Sequence, residues 1–378
     1  MTVMVPGRRE ELDVLRGFAI LAVLLLHVFV MTPGIEMHSS LLQIAQRLST
    51  GIQLFFVLSG FLIVASIERC IISGEGLKGF LIRRGAKIVP LYVLFLNINI
   101  AVFLLSQLFV PELPPYRNSP TVESLTVENY LLHLAFLQGF VPERMHTLLD
   151  GSWSIVDEVY FYILFAILPL SLSKSIVRAI WLYAVSIAIA IVFVLLVGRN
   201  YTGYSHYGFP AQLPCFLLGV LVYRIMSAPG FDVRFSSLRA PLVLAAVLLM
   251  IGLTKGESRP LGESSVYALC FAVLLLCATT VSMVLPAWLK CGITSLGRQS
   301  YALFFVHLLL LKGWYVIAGV LHIEMSFEAA LVANVLIAVP LSWLLSTIVF
   351  DPIDRFFVMR AGRFLDRQAR KPQDWSPA

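Results

Sequence analysis

The stretch LDVLRGFAILAVLLLHVFV, residues 12–30, is almost wholly apolar. A helix of about 20 apolar residues crosses the hydrocarbon core of a bilayer and satisfies its own backbone hydrogen bonds there. Runs of the same kind recur along the chain, with short polar stretches between them. The sequence therefore predicts an all-α fold, a polytopic transmembrane helical bundle.

Composition agrees with this fold class and limits the possible partners. Of the 378 residues, 59% are hydrophobic and only 13% are charged, about half the charged share of a soluble domain. The net charge of +6 is typical of basic cytoplasmic loops, so the bilayer is a predicted partner and nucleic acid is not. The five cysteines show no CxxC or Cys/His spacing, so no metal site is predicted.

Basic residues set the expected orientation of about ten spans. With the N terminus inside, 21 of the 28 Lys and Arg residues fall on the inner side, so both termini are expected to be cytoplasmic. The expected location is the inner (plasma) membrane, with multiple passes. The stretch 130–140 is too short to cross and is expected to be re-entrant or interfacial. The predicted spans are 12–31, 47–67, 86–109, 153–172, 176–197, 209–226, 240–254, 264–286, 301–321 and 328–350.

Two regions follow from this arrangement. Residues 1–350 are predicted to form a single membrane-embedded domain, and residues 351–378 a cytoplasmic basic tail. The tail carries its basic residues on a short amphipathic helix, which is expected to lie along the anionic inner leaflet. Since no soluble catalytic domain is attached, any chemistry is expected inside the membrane bundle.

The first span contains two ionisable residues that lipid does not favour. Arg16 and His27 are eleven positions apart, or three turns plus about 20°, so they share one helix face about 16 Å apart in depth. Asp13 lies three residues before Arg16 and is its expected ion-pair partner. Arg16 could be a simple cytoplasmic anchor, and His27 a neutral histidine hydrogen-bonded between helices. Alternatively, both line a functional cavity in which a histidine moves a proton.

Two further stretches combine polar residues with apolar surroundings. In LIRRGAKIVPLY, residues 81–92, the basic side chains could anchor the span or clamp phosphate groups. In GSWSIVDEVYFY, residues 151–162, two adjacent carboxylates enter an apolar helix at its expected outer mouth, which favours site residues. The candidates from the two stretches are Arg83, Arg84 and Lys87 for phosphate, and Trp153, Ser154, Asp157 and Glu158 for the site.

The remaining polar positions have structural explanations. Ser59 and Gly60, in the middle of the second span, are expected to allow close helix packing. His307 is interpreted as structural, and Lys312 as a side chain that snorkels to an interface. Neither His307 nor Lys312 is predicted to be catalytic.

Taken together, these stretches resemble the acyltransferase-3 family of integral membrane O-acyltransferases. The first helix is similar to the family's opening arginine–ten residues–histidine pattern. The other similar stretches are FFVLSGFLI (55–63), RRGAKIVPLY (83–92), WSIVDEVYFY (153–162), FPAQLPCFLLGVLVY (209–223) and LGRQSYALFFVH (296–307). Two positions depart from the family pattern, because Lys87 stands in place of a second arginine and Val159 in place of a second glutamate.

The resemblance implies a reaction and its partners. Members of this family transfer an acyl group, usually acetyl, from cytoplasmic acyl-CoA to a hydroxyl of an envelope sugar or an exported glycan. Acetyl-CoA is therefore the expected acyl donor, a cell-envelope or exported polysaccharide the expected acceptor, and O-acetylation the expected chemistry, with no metal.

The resemblance also implies roles for the candidate residues. His27 would deprotonate the acceptor hydroxyl, directly or through Glu158. Arg16 with Asp13 would hold the entrance or stabilise the oxyanion. The phosphates of CoA would be held by Arg83, Arg84 and Lys87.

Two interpretations from other classes compete with an enzyme. A transporter of a glycan, lipid or organic acid could use buried charges along its path, and transporters commonly show related halves. No such internal symmetry is visible in this sequence. A non-enzymatic assembly partner would leave a histidine near the membrane midplane unexplained.

Overall fold

The computed structural model describes residues 10–109, 120–168, 175–231, 237–252 and 262–369. These residues form helices joined by turns and loops, with no strand among them. The predicted fold class, an all-α polytopic helical bundle, is confirmed.

The first half of the chain forms nine helices within the described ranges. They are α1 (Glu10–Val30), α2 (Ser39–Leu48), α3 (Gly51–Ile72), α4 (Gly76–Phe109), α5 (Val127–Leu134), α6 (Ser152–Ile167), α7 (Ile176–Val197), α8 (Thr202–Tyr207) and α9 (Phe209–Met226). Short 3-10 turns occur at Ile35–Met37, Val122–Ser124 and Gln138–Phe140.

The second half continues the bundle and ends in one long helical segment. Its helices are α10 (Arg239–Gly252), α11 (Gly262–Leu276), α12 (Ala278–Val284), α13 (Ala287–Arg298), α14 (Ser300–Val320), α15 (Phe327–Leu336), α16 (Ser342–Leu345) and α17 (Asp351–Ala369). Two π-helical turns, Ile337–Leu341 and Ser346–Phe350, join the last three helices. The first of these turns contains Pro340, which cannot donate a backbone hydrogen bond.

Seven helical segments in the described ranges are long and apolar enough to cross a membrane. The other three predicted spans correspond to shorter helices, namely α6, α10 and α11. The described structure therefore contains a helix for each of the ten predicted spans, although only seven of these have full spanning length. The cytoplasmic placement of both termini stays a prediction, and residues 1–9 and 370–378 lie outside the described ranges.

Glycines bring α3 and α9 into close contact at the centre of the bundle. A Cβ atom on Gly60 would lie 1.9 Å from the carbonyl oxygen of Phe216, and one on Gly219 would lie 2.0 Å from that of Val57. Only a residue without a side chain allows backbones to approach this closely. The packing role predicted for Gly60 is therefore confirmed.

Replacing Gly219 with alanine is expected to separate α3 from α9 and to lower the free energy of unfolding by about 1–3 kcal/mol, because overpacking forces the backbone apart. Thermal unfolding of the purified protein in nanodiscs measures this loss. The matched control is Gly313→Ala in α14, where an added Cβ atom meets nothing within 4 Å. Equal unfolding temperatures for the two variants would contradict the close contact.

A second glycine contact fixes the first helix in the bundle. A Cβ atom on Gly17 would lie 2.0 Å from the carbonyl oxygen of Ile293, and one on Gly297 would lie 1.8 Å from that of Asp13. Helices α1 and α13 therefore cross with their backbones in contact. This crossing holds the part of α1 that carries Arg16 against the end of α13.

The stretch 130–140 packs onto the bundle as the end of α5 followed by a turn. Phe136 has a left-handed backbone, with φ of 57°, which non-glycine residues seldom adopt. Two tyrosine hydroxyls hold the turn, since Tyr160 donates to the carbonyl of Phe136 at 2.7 Å and Tyr204 donates to that of Gly139 at 2.9 Å. The predicted re-entrant or interfacial depth of this stretch stays a prediction.

Residues after 350 continue the last helical segment. The helical run Phe327–Arg367 is 41 residues long, so the predicted boundary between residues 350 and 351 falls inside it. Helix α17 packs against α4, where Leu365 and Ala361 are buried. The predicted division into a domain and a basic tail stays a prediction, as does the contact of the tail with the inner leaflet.

Candidate functional site

Asp13 and Arg16 form the ion pair expected from their spacing. Their side chains lie 3.6 Å apart, and Asp13 is buried. Arg298, at the end of α13, approaches the same carboxylate at 3.7 Å. Asp13 therefore anchors two guanidinium groups, one on each side of the crossing between α1 and α13.

Glu158 joins Arg16 in one cluster. Its carboxylate accepts hydrogen bonds from the hydroxyls of Ser59, at 2.9 Å, and Tyr162. Arg16 lies within electrostatic range of Glu158, Tyr162 and Arg84. We call Asp13, Arg16, Arg84, Glu158 and Tyr162 the arginine cluster.

Glu158 lies inside α6, and its expected place at the outer mouth stays a prediction. Helix α6 begins at Ser152, so Glu158 lies six residues, or about 9 Å, inside the helix. Its partners are Ser59, Tyr162 and the Arg16 guanidinium. Among the described residues no hydrogen bond joins Glu158 to His27, and the structure instead brings Glu158 to Arg16.

The three candidate phosphate ligands have different surroundings. Arg83 makes a bidentate pair with Glu75, with nitrogen–oxygen distances of 2.8 and 2.5 Å. Lys87 pairs with Asp354 of α17. These two cations therefore already have carboxylate partners.

Arg84 is held by aromatic rings. Its guanidinium lies 5.2 Å from the ring centre of Tyr162 and 5.6 Å from that of Phe80. No carboxylate pairs with Arg84 among the residues that the structure describes. Because cation–π contacts leave the N–H groups of a guanidinium free to donate, Arg84 is the best prepared of the three to bind an anion.

His27 meets a second histidine from α14. The Nδ1 atom of His27 lies 2.8 Å from the carbonyl oxygen of Val23, and 3.2 Å from Nε2 of His307. The Nδ1 atom of His307 lies 2.7 Å from the carbonyl oxygen of Leu303. His307 is fully buried, whereas His27 is half-buried.

These contacts assign the tautomers of both rings. A carbonyl oxygen can only accept, so Nδ1 carries the proton in each neutral histidine. The Nδ1–H group of His27 then donates to Val23 and to Nε2 of His307. The Nε2 atom of His27 keeps its lone pair, and the hydrogen bonds of the other ring nitrogen fix its direction.

An ion pair lies beside the two histidines. Lys312 is buried, and its ammonium group lies 3.2 Å from the carboxylate of Asp150 and 3.5 Å from the amide oxygen of Asn99. Both Asp150 and Lys312 act electrostatically on His27. The histidine cluster comprises His27, His307, Asp150 and Lys312. The expected snorkelling of Lys312 to an interface is wrong, because its charge is satisfied inside the protein.

Sequence reasoning did not select three members of this cluster. His307 and Lys312 are ionisable residues in an apolar span, the same signal that selected His27. His307 is in direct contact with the candidate base, and its interpretation as a structural residue stays a prediction. Asp150 lies in a polar loop before α6, where a single carboxylate carries no comparable signal.

The other predicted substrate ligands have contacts of their own. Trp153 packs on Phe56 and Tyr207, with ring centres 6.0 and 4.7 Å away. Ser154 donates to the carbonyl of Gly151, within its own helix turn. Asp157 is buried, and neither of its oxygens has a hydrogen-bond partner among the described residues. No hydrogen bond or ring contact joins these three residues to His27 in the described structure.

The two clusters place guanidinium groups and a candidate base at different depths of α1. The arginine cluster supplies guanidinium groups, and the histidine cluster supplies a base with an available lone pair. Arg16 and His27 are separated by about 16 Å along α1. In the part of the chain that the structure describes, no group of three or more His, Cys, Asp or Glu side chains is arranged to hold a metal.

Comparisons with known proteins agree on one activity. A family model described as an acyltransferase domain matches residues 9–349. Acyltransferase MdmB of Streptomyces mycarofaciens is 26% identical over 387 residues, an alignment that covers 93% of this chain and 93% of that protein. No solved structure matches the chain. The matched range contains both clusters, and it favours acyl transfer over the transporter interpretation.

Proposed function

Since the chain belongs to the acyltransferase family whose model matches residues 9–349, we propose that it transfers an acetyl group from cytoplasmic acetyl-CoA to a hydroxyl of a cell-surface or exported polysaccharide. It is a membrane protein and an acyl-transferring enzyme. The observation that carries the finer proposal is the pair His27–His307, 3.2 Å apart, with a free lone pair on one ring. The proposed location is the inner membrane.

His27 is the proposed general base. Its Nε2 atom removes the proton from the acceptor hydroxyl while the hydroxyl oxygen attacks the thioester carbonyl carbon. The carbon–sulfur bond then breaks, and the proton on Nε2 passes to the departing thiolate. The products are an O-acyl ester and free CoA, and His27 returns to its neutral form.

Arg84 is the proposed first contact for the CoA phosphates, because it lacks a carboxylate partner among the described residues. Arg83 and Lys87 would assist by exchanging Glu75 and Asp354 for phosphate oxygens, since guanidinium and ammonium groups both bind phosphate well. With both termini cytoplasmic, these three residues would face the compartment that contains acyl-CoA.

Arg16 and Asp13 are proposed to hold the entrance to the bundle. The sequence left open whether Arg16 instead stabilises the oxyanion. Arg16 lies about 16 Å from His27 along α1, whereas an oxyanion donor must lie about 3 Å from the reacting oxygen. The distance favours the entrance role, with Glu158 orienting Arg16.

His307 is proposed to position His27. Removing its ring is expected to leave Nδ1 of His27 with only the Val23 carbonyl, so that the imidazole loses a fixed direction. His307→Ala is therefore expected to lower kcat by about 10- to 100-fold, less than loss of the base itself. The KM for acetyl-CoA is expected to change less than twofold.

Steady-state kinetics in nanodiscs separate these two parameters for His307→Ala. A change confined to KM, with kcat intact, would contradict the positioning role. His307→Gln is the matched variant, because the glutamine side chain offers an acceptor oxygen toward Nδ1 of His27. We expect it to recover part of the lost kcat.

Two measurements test the overall proposal. The first is release of CoA from radiolabelled acetyl-CoA by the purified protein, with and without envelope glycan. The second is the O-acetyl content of envelope and exported polysaccharides in a strain lacking this chain. Glycan-dependent release and a reduced O-acetyl content are expected. Release without any acetylated sugar would point to another acceptor.

A further inference from the structure

The last helix, α17, lies beyond the matched acyltransferase range and nevertheless contacts the proposed donor ligands. The family match ends at residue 349, and α17 begins at Asp351. Helix α17 packs against α4, the helix that carries Arg83, Arg84 and Lys87. No step of the proposed reaction uses α17, so its contact with these cations needs a separate explanation.

Helix α17 presents carboxylates to two of the three cations. Asp354 pairs with Lys87, and the Asp354 side chain keeps 10% of its surface exposed, against 38% for Lys87. Arg83 lies within electrostatic range of Asp366. The backbone of α17 also touches Arg83, because a Cβ atom on Gly362 would lie 3.7 Å from a guanidinium nitrogen. One helix therefore covers both Lys87 and Arg83 from the same side.

The carboxylate of Asp354 depends on Lys87 alone for its hydrogen bonding. One of its oxygens accepts a hydrogen bond from the Lys87 ammonium. The other oxygen is buried and has no hydrogen-bond partner in the part of the chain that the structure describes. A buried ion pair adds to stability only when further hydrogen bonds satisfy its remaining lone pairs. This pair lacks them, so it is suited to exchange for another anion.

A phosphate group is a better partner for Lys87 than Asp354 is. A phosphate monoester carries about −1.5 to −2 charges at pH 7, whereas a carboxylate carries one, and Coulomb attraction grows with charge. The ammonium of Lys87 also lies 5.6 Å from the ring centre of Tyr301. A ring contact of this kind holds a cation without using its N–H donors. Lys87 is therefore kept in place for whichever anion it binds.

The backbone directly before α17 departs from regular helix. The π-helical turn Ser346–Phe350 ends where α17 begins, and the buried hydroxyl of Ser346 has no hydrogen-bond partner among the described residues. Turns of this kind are frequent at functional sites. Since the regular hydrogen-bond pattern is already interrupted here, α17 can change its angle to the bundle without breaking an α-helix.

We propose that α17 is an autoinhibitory element of the donor site, in which Asp354 holds Lys87 in the place of a CoA phosphate until the donor displaces it. The proposal rests on the proposed function for the identity of the anion. It makes donor affinity lower than the cations of α4 alone would give. The competing explanation is that Asp354 orients Lys87 toward the phosphate, which would make donor affinity higher.

The two explanations predict opposite effects of Asp354→Asn on CoA binding. Isothermal titration calorimetry with CoA, on the full chain in nanodiscs, measures the Kd without turnover. Asp354→Asn keeps the shape of the side chain and removes its charge. If Asp354 competes with phosphate, the Kd for CoA is expected to fall about fivefold, the upper end for a partly exposed ion pair. If Asp354 orients Lys87, the Kd is expected to rise.

Two further variants show whether the effect passes through Lys87. Lys87→Gln is expected to raise the Kd for CoA, and Asp354→Asn combined with Lys87→Gln is expected to bind CoA like Lys87→Gln alone, because residues in one ion pair are not additive. Asp351→Asn is the matched control. It removes a carboxylate from the same helix by breaking the pair with Arg355, and it should bind CoA like the wild type.

Hydrogen exchange gives a test that needs no variant. Displacement of α17 by CoA is expected to speed the exchange of its backbone amides in the wild-type protein, because a helix released from its packing opens more often. Peptides from α9 serve as the reference, since that helix is not expected to move. Slower or unchanged exchange in α17 on adding CoA would contradict displacement.

The outcomes separate this inference from the proposed function. Tighter CoA binding by Asp354→Asn, with the gain lost in the double variant, would support the autoinhibitory contact. Unchanged or weaker binding by a folded Asp354→Asn protein would overturn it, while continued acetyl transfer would leave the proposed function standing. Tighter binding without any O-acetyl product would keep the contact and remove the proposed function. If Asp354→Asn does not fold, hydrogen exchange in α17 decides.

Discussion

His27→Ala is expected to lower kcat by about 10²- to 10⁴-fold, the usual contribution of a general base. The expectation follows from the tautomer, because Nδ1–H of His27 donates to Val23 and His307, and Nε2 keeps a lone pair with no hydrogen-bond donor among the described residues. Release of CoA from radiolabelled acetyl-CoA measures the effect. Size-exclusion chromatography and thermal unfolding in nanodiscs establish that the variant is folded.

Added imidazole sharpens the interpretation of this variant. If His27 acts only as a base, free imidazole in the cavity left by the ring is expected to restore part of the rate. His38→Ala is the matched control, because that ring stacks on Phe327 with centres 3.9 Å apart and belongs to neither cluster. A folded His27→Ala protein that works at the wild-type rate would remove His27 from the mechanism.

Arg84→Ala is expected to raise the KM for acetyl-CoA by about 10- to 100-fold, because each hydrogen bond to a charged group is worth about 1.5–3 kcal/mol. The value of kcat is expected to change much less, since the proposed contact of Arg84 is with the CoA phosphates and not with the reacting carbonyl. Initial rates over a range of acetyl-CoA concentrations, in the presence of saturating acceptor, separate the two parameters.

Two variants calibrate the effect of Arg84. Arg84→Lys keeps the charge but loses the planar fork and the ring contacts with Tyr162 and Phe80, so an intermediate KM is expected. Arg355→Ala removes an exposed arginine paired with Asp351 and should leave KM unchanged. An Arg84→Ala protein with a wild-type KM would move the donor site to another part of the inner surface.

Local sequence pattern predicted the parts of this molecule that depend on one helix. The helical period of α1 predicted the Asp13–Arg16 pair, and the small residue Gly60 predicted a close helix contact. The Asp13–Arg16 pair follows from a spacing of three residues along one helix, and the close contact at Gly60 follows from the absence of a side chain. The free-energy cost of placing an ionisable side chain inside the bilayer also identified His27 as a residue that needs a partner.

Contacts between distant segments were beyond the same reasoning. Lys312 was expected to snorkel because its partner Asp150 lies in a loop 162 positions earlier, and no periodicity connects the two. Arg83 and Lys87 look like free cations in the sequence, since Glu75 and Asp354 approach them only after folding. The start of α6 was predicted within one residue, but the contacts of Glu158 with Ser59 and Arg16 join three helices that are distant in the sequence.

The contact between His27 and His307 joins residues 280 positions apart. The first helix leaves the ribosome before α14 does. During synthesis, His27 therefore lies in the bilayer without His307. Lys312 also belongs to α14, so the ion pair between Lys312 and Asp150 forms only after α14 has been synthesised. The proposed catalytic centre is thus completed only when α14 inserts, and a chain released before that point holds the proposed base without the groups that are proposed to orient it. Activity therefore reports on completed assembly of the protein.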